Sequence, residues 1–181
     1  MEEIKRTLEE QRTEFTKRPF LATPIAGLAV WLIIGLSGLF FPVRTTVWVL
    51  FLGTGSIAYL AIFISKFTGE RFVDKDKPKN VFDGLFLFTV LQSVLIYSIA
   101  IPFFILDYSS LPLTVGILTG TMWIPFSWII KHWVGIFHAV LRTVSILLLW
   151  YMLPEHKFVA IPFAIVIIYI ITMIILKSRK L

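Results

Sequence analysis

The stretch FVAIPFAIVIIYIITMIIL, residues 158–176, contains no charged side chain. A helix that crosses a bilayer needs roughly 20 consecutive apolar residues, so this run reads as a membrane span. Working outward, similar runs lie at 21–41, 47–65, 82–106, 112–131 and 134–152. Together they occupy most of the 181 residues, of which 57% are hydrophobic and only 15% charged. Soluble domains carry about a quarter charged residues. The expected fold is all-α: a polytopic transmembrane bundle of six helices over 21–176. A short amphipathic cytoplasmic helix, 1–20, precedes it, and a basic cytoplasmic tail, 177–181, follows.

The first run starts only after a long polar segment and exceeds the apolar core of a secretory signal, so it is not expected to be cleaved. The absence of cysteine excludes disulfides, thiolate catalysis and cysteine-ligated metals. The net charge of +6 does not point to nucleic acid, because the basic residues cluster at one set of membrane edges. Lys5, Arg6, Arg12, Lys17 and Arg18 precede the first span. Lys66, Arg71, Lys75, Lys77 and Lys79 follow the second. Lys131 separates the fourth and fifth, and Lys177, Arg179 and Lys180 end the chain. Only Arg44 and Lys157 fall in connections on the other side. Basic residues favour the cytoplasmic side, so both termini are expected there, in the inner membrane of a cell. Trp48, Tyr108, Trp150 and Tyr151 at the outer edge and Trp128 and Trp133 at the inner edge suit interfacial belts.

In the N-terminal segment Ile4, Leu8, Gln11 and Phe15 share a helical face, and Glu2–Arg6 and Glu14–Arg18 are spaced as i,i+4 pairs. Its thin apolar stripe suggests a solvated lead-in on the headgroups, with a partner-binding helix as the alternative. Gly27, Trp31, Gly35 and Gly38 form a small-residue stripe, which serves internal packing or a homo-oligomer interface. The loop KFTGERFVDKDKPKN, 66–80, alternates in charge and reads as solvated; attraction of anionic membrane lipid is the alternative.

The third span places Gln92 and Ser93 near mid-membrane. In the fourth, Pro125 removes a backbone donor and should free the carbonyl of Thr121, kinking the helix toward the bundle interior. The segments LFLFTVLQSVLIYSIAIP and GTMWIPFSWIIKH resemble a family of small bacterial integral membrane proteins of about six helices and no assigned function. The resemblance implies the same layout and an inner-membrane location, and it carries no catalytic residues.

Enzymatic readings meet geometric objections. The string GLSG, 35–38, is similar to the G-x-S-G of rhomboid intramembrane proteases. Ser37, however, should lie near the outer boundary and His138 near the inner one, roughly 18 Å apart along the membrane normal. No second histidine shares the depth of His138 for haem ligation, and neither a zinc-protease motif nor a phosphate loop occurs. No cofactor or metal is expected.

The chemistry-bearing stretch is GIFHAVLRTVSILLLW, 135–150, with an arginine inside a span. Lys131, Gly135, His138, Arg142 and Ser145 share one face if the helix extends back to 131. Such an arginine is a functional candidate because it is costly unless it faces the interior or water. The stripe is expected to wall a basic, cytoplasm-facing cleft, with Gln92 and the Thr121 carbonyl opposite. Arg142, His138, Lys131, Gln92, Thr121 and Asp83 are the candidate ligand-binding residues. Two roles stay open for Arg142. It is either part of a site for a small anionic or amphiphilic ligand, lipid included, or a structural clamp on Asp83, Thr121 and Gln92.

Overall fold

A computed structural model of the protein describes residues 6–70, 72 and 78–179. Among these residues the chain is a bundle of α-helices: α1 (Leu8–Thr16), α2 (Ala22–Phe40), α3 (Val43–Thr68), α4 (Val81–Leu95), α5 (Tyr97–Leu106), α6 (Leu111–Gly120), α7 (Trp123–Ile129), α8 (Val134–Met152) and α9 (Lys157–Lys177). Five stretches are long and apolar enough to cross a membrane: Ala22–Phe40, Val43–Thr68, Val81–Leu106, Val134–Met152 and Pro154–Lys177. The expected fourth span is instead two short helices, α6 of 10 residues and α7 of 7.

The break between α6 and α7 falls at Thr121 and Met122, four residues before Pro125. Pro125 has no N–H for the Thr121 carbonyl. That carbonyl is nevertheless not free, because the Ile124 N–H donates to it at 3.1 Å. The next turn is also tight. Lys131 adopts a positive φ of 51°, Ser127 Oγ donates to the His132 carbonyl, and α8 begins only at Val134. Gly135 makes that turn possible: a Cβ there would sit 2.1 Å from the Trp123 carbonyl oxygen. Lys131 is therefore not on the α8 face with His138 and Arg142.

The core forms where α2 lies between α3 and α9, with α8 beyond α9. Trp31, Ile34, Leu50, Ile146, Ile161 and Ile165 are fully buried there. Lipid tails are as apolar as leucine, so close packing rather than burial from water must hold such helices together. The small-residue stripe of α2 serves this purpose. A Cβ on Gly27 would meet the Tyr169 ring at 2.4 Å, and one on Gly38 the Phe158 carbonyl at 2.5 Å.

The described part of the N-terminal segment, from Arg6 on, is tied to the bundle on one side and exposed on the other. α1 opens with a capping box, Thr7 Oγ1 accepting from the Glu10 N–H at 3.2 Å while Glu10 Oε2 accepts from the Thr7 N–H at 2.7 Å. Its Phe15 is buried against Phe20, Phe82 and Phe86. The side chain of Arg12 donates to the Ile129 and Trp128 carbonyls at the end of α7. Asn80 Nδ2 donates to the Gln11 carbonyl at 2.7 Å, and Lys131 pairs with Glu9 at 2.7 Å. Arg179 reaches back to the Arg18 carbonyl at 2.9 Å. α1 is thus a strap across one end of the bundle, where the starts of α2 and α4 and the ends of α7 and α9 meet. The expected Glu14–Arg18 pair does not form: Glu14 pairs with Arg6 and Arg18 with Asp83. The Glu2–Arg6 pair involves a residue outside those described.

The loop after α3 is not wholly solvated either. Glu70 is buried, and its Oε1 accepts from the Leu21 and Ala22 N–H groups at 2.7 and 2.8 Å. A carboxylate at a helix N-terminus satisfies unpaired donors and complements the helix dipole. Burial raises the pKa of this carboxyl, opposed by the hydrogen bonds from Ala22, Thr68 and Leu21 and by the charge of Arg18.

Candidate functional site: a buried arginine beside an apolar cleft

Arg142 and His138 point into the bundle from α8, and both are fully buried. Arg142 Nε donates to the Gly116 carbonyl at 2.7 Å, one terminal nitrogen to Thr119 Oγ1 at 2.7 Å, and the other to the Tyr169 hydroxyl at 3.3 Å. Its guanidinium also lies 5.2 Å from the centre of the Trp31 ring. Gly120 admits the side chain, since a Cβ there would approach Arg142 Cδ to 3.0 Å. Every hydrogen-bond acceptor described around this cation is neutral. Buried charges are usually paired with an opposite charge, so its environment is unusual.

His138 stacks on Trp123 with ring centres 4.3 Å apart, and its Nδ1 lies 2.8 Å from Thr172 Oγ1. The Thr172 hydroxyl donates to the Ile168 carbonyl. It therefore accepts from His138, which places the imidazole proton on Nδ1. His138 Nε2 is buried without a hydrogen-bond partner among the described residues.

The other expected site residues lie elsewhere. Asp83 bonds both terminal nitrogens of Arg18, not Arg142. Gln92 is exposed on the outer side of α4, and Lys131 is exposed and held by Glu9. The Thr121 carbonyl is used within its own turn. A basic cleft walled by Lys131, His138 and Arg142 does not form. Ser37 hydrogen-bonds Thr46 at 3.3 Å, in the packing between α2 and α3.

The cleft that does exist was not expected. α3 and α4 barely touch along their length, and between them lies a space of about 300 Å³. Ile57, Ala58, Ala61 and Ile62 of α3 wall it on one side, and Phe86, Leu87 and Val90 of α4 on the other. Its floor is Thr119, Met122 and Tyr169 from the interior. Gly55, Gly84, Leu87 and Val94 line it and are exposed, so it opens outward between the two helices. At one end stands Asp83 with its Arg18 partner; at the other, the Thr54 and Tyr97 hydroxyls bond at 2.6 Å. Asp83 to Tyr97 spans about 21 Å of helix axis.

These features define a multi-pass α-helical membrane protein with a cleft at membrane depth. Residues 8–179 match the model of a family of unknown function, DUF7010, and the chain belongs to that family. No curated protein and no solved structure matches the chain.

Proposed function

We propose that the protein binds, or moves, a lipid-like amphiphile in the cleft between α3 and α4. One observation carries this reading: two membrane helices that should pack closely are held apart, and the gap is apolar, concave and open sideways. Ligand sites are typically concave and mostly apolar with a few polar groups that orient the ligand. The hydroxyls of Thr54, Tyr97, Thr119 and Tyr169 are such groups. A sideways opening at this depth faces lipid, so the ligand would enter from the bilayer.

The strapped end is proposed to face the cytoplasm of the cell whose membrane holds the protein. The support is that α1, Lys131 and Arg179 converge on that end, and basic residues favour the cytoplasmic side. A second reading, a purely structural membrane protein, is favoured by Arg142 itself, which joins α8 to α6 and α9.

Native mass spectrometry of protein released from membranes separates the two. The ligand reading expects a bound amphiphile of defined mass, lost in an Ala58→Trp variant that fills the cleft and still folds. A protein free of amphiphile, or retention unchanged in that variant, would refute it. So would a dimer that the same variant dissociates, since a second chain would then occupy the gap.

A further inference from the structure

An amphiphile in the cleft does not by itself account for three features: the neutral surroundings of Arg142, the buried Nε2 of His138, and the strap α1. Arg142 is joined to the cleft by two of its hydrogen-bond partners, the hydroxyls of Thr119 and Tyr169, which also line it. The two hydroxyls are not equivalent. Thr119 already donates its proton to the Val115 carbonyl at 2.7 Å. The Tyr169 hydroxyl accepts from Arg142 and has no acceptor of its own among the described residues. A hydroxyl that accepts from a cation becomes a stronger donor, since each bond in such a chain polarises the next.

We infer that Tyr169 is the recognition point for an anionic head, carboxylate or phosphate, of a single-chain amphiphile, with Arg142 supplying the charge through it. This rests on the cleft reading and deepens it. Charge complementarity selects the ligand: a buried cation with neutral partners favours an anion in the adjoining space. Volume limits it, because about 300 Å³ is at the lower bound of small-molecule sites and does not suit two acyl chains. In the bound state the Tyr169 O–H donates to a head-group oxygen, and the chain lies along the apolar walls of α3 and α4. Arg142 touches Tyr169 rather than the ligand, so it is a positioning and polarising residue. The tight approach of Gly27 to the Tyr169 ring, where a Cβ would lie 2.4 Å away, fixes the hydroxyl in place.

The test titrates purified protein in a non-ionic detergent with dodecanoate, dodecyl phosphate, dodecanol and inorganic phosphate, read by native mass spectrometry. The wild type should bind the two anionic amphiphiles at least about tenfold more tightly than dodecanol, the size of one charge-assisted hydrogen bond. Tyr169→Phe, which keeps the ring, should remove that preference, so that the two anionic amphiphiles bind no more tightly than dodecanol. Arg142→Met should shrink the preference while Tyr169 remains. Equal binding of dodecanoate and dodecanol by the wild type, or a preference that survives Tyr169→Phe, would overturn the inference and leave the cleft reading standing. Failure to bind any amphiphile, or binding unchanged by Ala58→Trp, would defeat the cleft reading and the inference with it. Inorganic phosphate competing at the same concentration as dodecyl phosphate would reassign the site to a water-borne anion, against the inference.

Discussion

Replacing Arg142 with methionine tests whether this residue is held for stability or in spite of it. The substitution removes bonds to the Gly116 carbonyl, the Thr119 hydroxyl and the Tyr169 hydroxyl. None of these acceptors is charged, so no counter-charge is stranded. Leaving a buried polar group unsatisfied costs about 1–3 kcal/mol. The lower end applies here, because Thr119 keeps its bond to Val115 and the hydroxyls can reorient. The loss is then about 3 kcal/mol in total. Against it stands the burial of an unpaired cation, which costs several kcal/mol and is relieved by the change. Methionine fills much of the same space. The two effects nearly cancel, and the net should lie within about 1 kcal/mol of zero, or roughly 2–4 °C in melting temperature for a chain of this size. The assay is a thermal melt in detergent, followed by loss of monodisperse protein. If Arg142 were chiefly a clamp, the fall would instead be roughly 6–12 °C. A fall of that size would refute the reasoning. So would rescue by Asp83→Asn, because Asp83 belongs to Arg18 and not to Arg142.

Other expectations follow from single contacts. Gly135→Ala forces a Cβ against the Trp123 backbone oxygen, which cannot swing away; it should lower the melting temperature by at least several degrees, as overpacking costs about 1–3 kcal/mol. Phe15→Ala should lose about 3–5 kcal/mol of local packing and release α1, seen as faster hydrogen exchange over residues 8–16 with the spans unchanged. Burial raises the carboxyl pKa of Glu70, so folding favours its protonated form; that stability is present below the unfolded pKa and is lost as pH rises through the folded one. Glu70→Gln keeps an oxygen for the Leu21 and Ala22 N–H groups, so its melting temperature should match or exceed the wild type at neutral pH and converge with it as pH falls below the ordinary glutamate pKa of about 4.3. Single cysteines at Glu155 and Ser178, both exposed, should react oppositely with a membrane-impermeant thiol reagent on intact cells. Labelling at 155 and protection at 178 would place the strapped end in the cytoplasm.

The spans were legible because a run such as 158–176 has only one stable environment. The end of the bundle that gathers Arg12, Arg18, Lys131 and Arg179 was legible for the same kind of reason, since charge is costly within a span. Arg142 and His138 stood out as polar groups inside a span. Their partners did not, because Gly116, Thr119 and Tyr169 are chosen by the rotation of α6 and α9, which residue spacing on α8 does not specify. The break at Thr121 followed from Pro125, but the local turn that reuses its carbonyl did not. The capping box Thr7–Glu10 was readable as T-x-x-E and marks the start of a real helix. Glu70 was hidden in a charged loop, because its helix end lies far away in sequence. The cleft was the least legible feature: a gap between α3 and α4 is an absence of packing, and their apolar residues look like those of any lipid-facing surface.

Occupation of the gap between α3 and α4 by an amphiphile can be measured in the membrane itself. The most direct measurement is photolabelling of the protein in bilayers with a dodecanoate that carries a diazirine on its chain, followed by peptide mapping. Labelling should concentrate on residues 54–62 and 84–97, be saturable by unlabelled dodecanoate and be removed by Ala58→Trp. Labelling spread evenly over outward-facing positions such as Ile167 and Ile174 of α9, with no competition by the unlabelled compound, would contradict it.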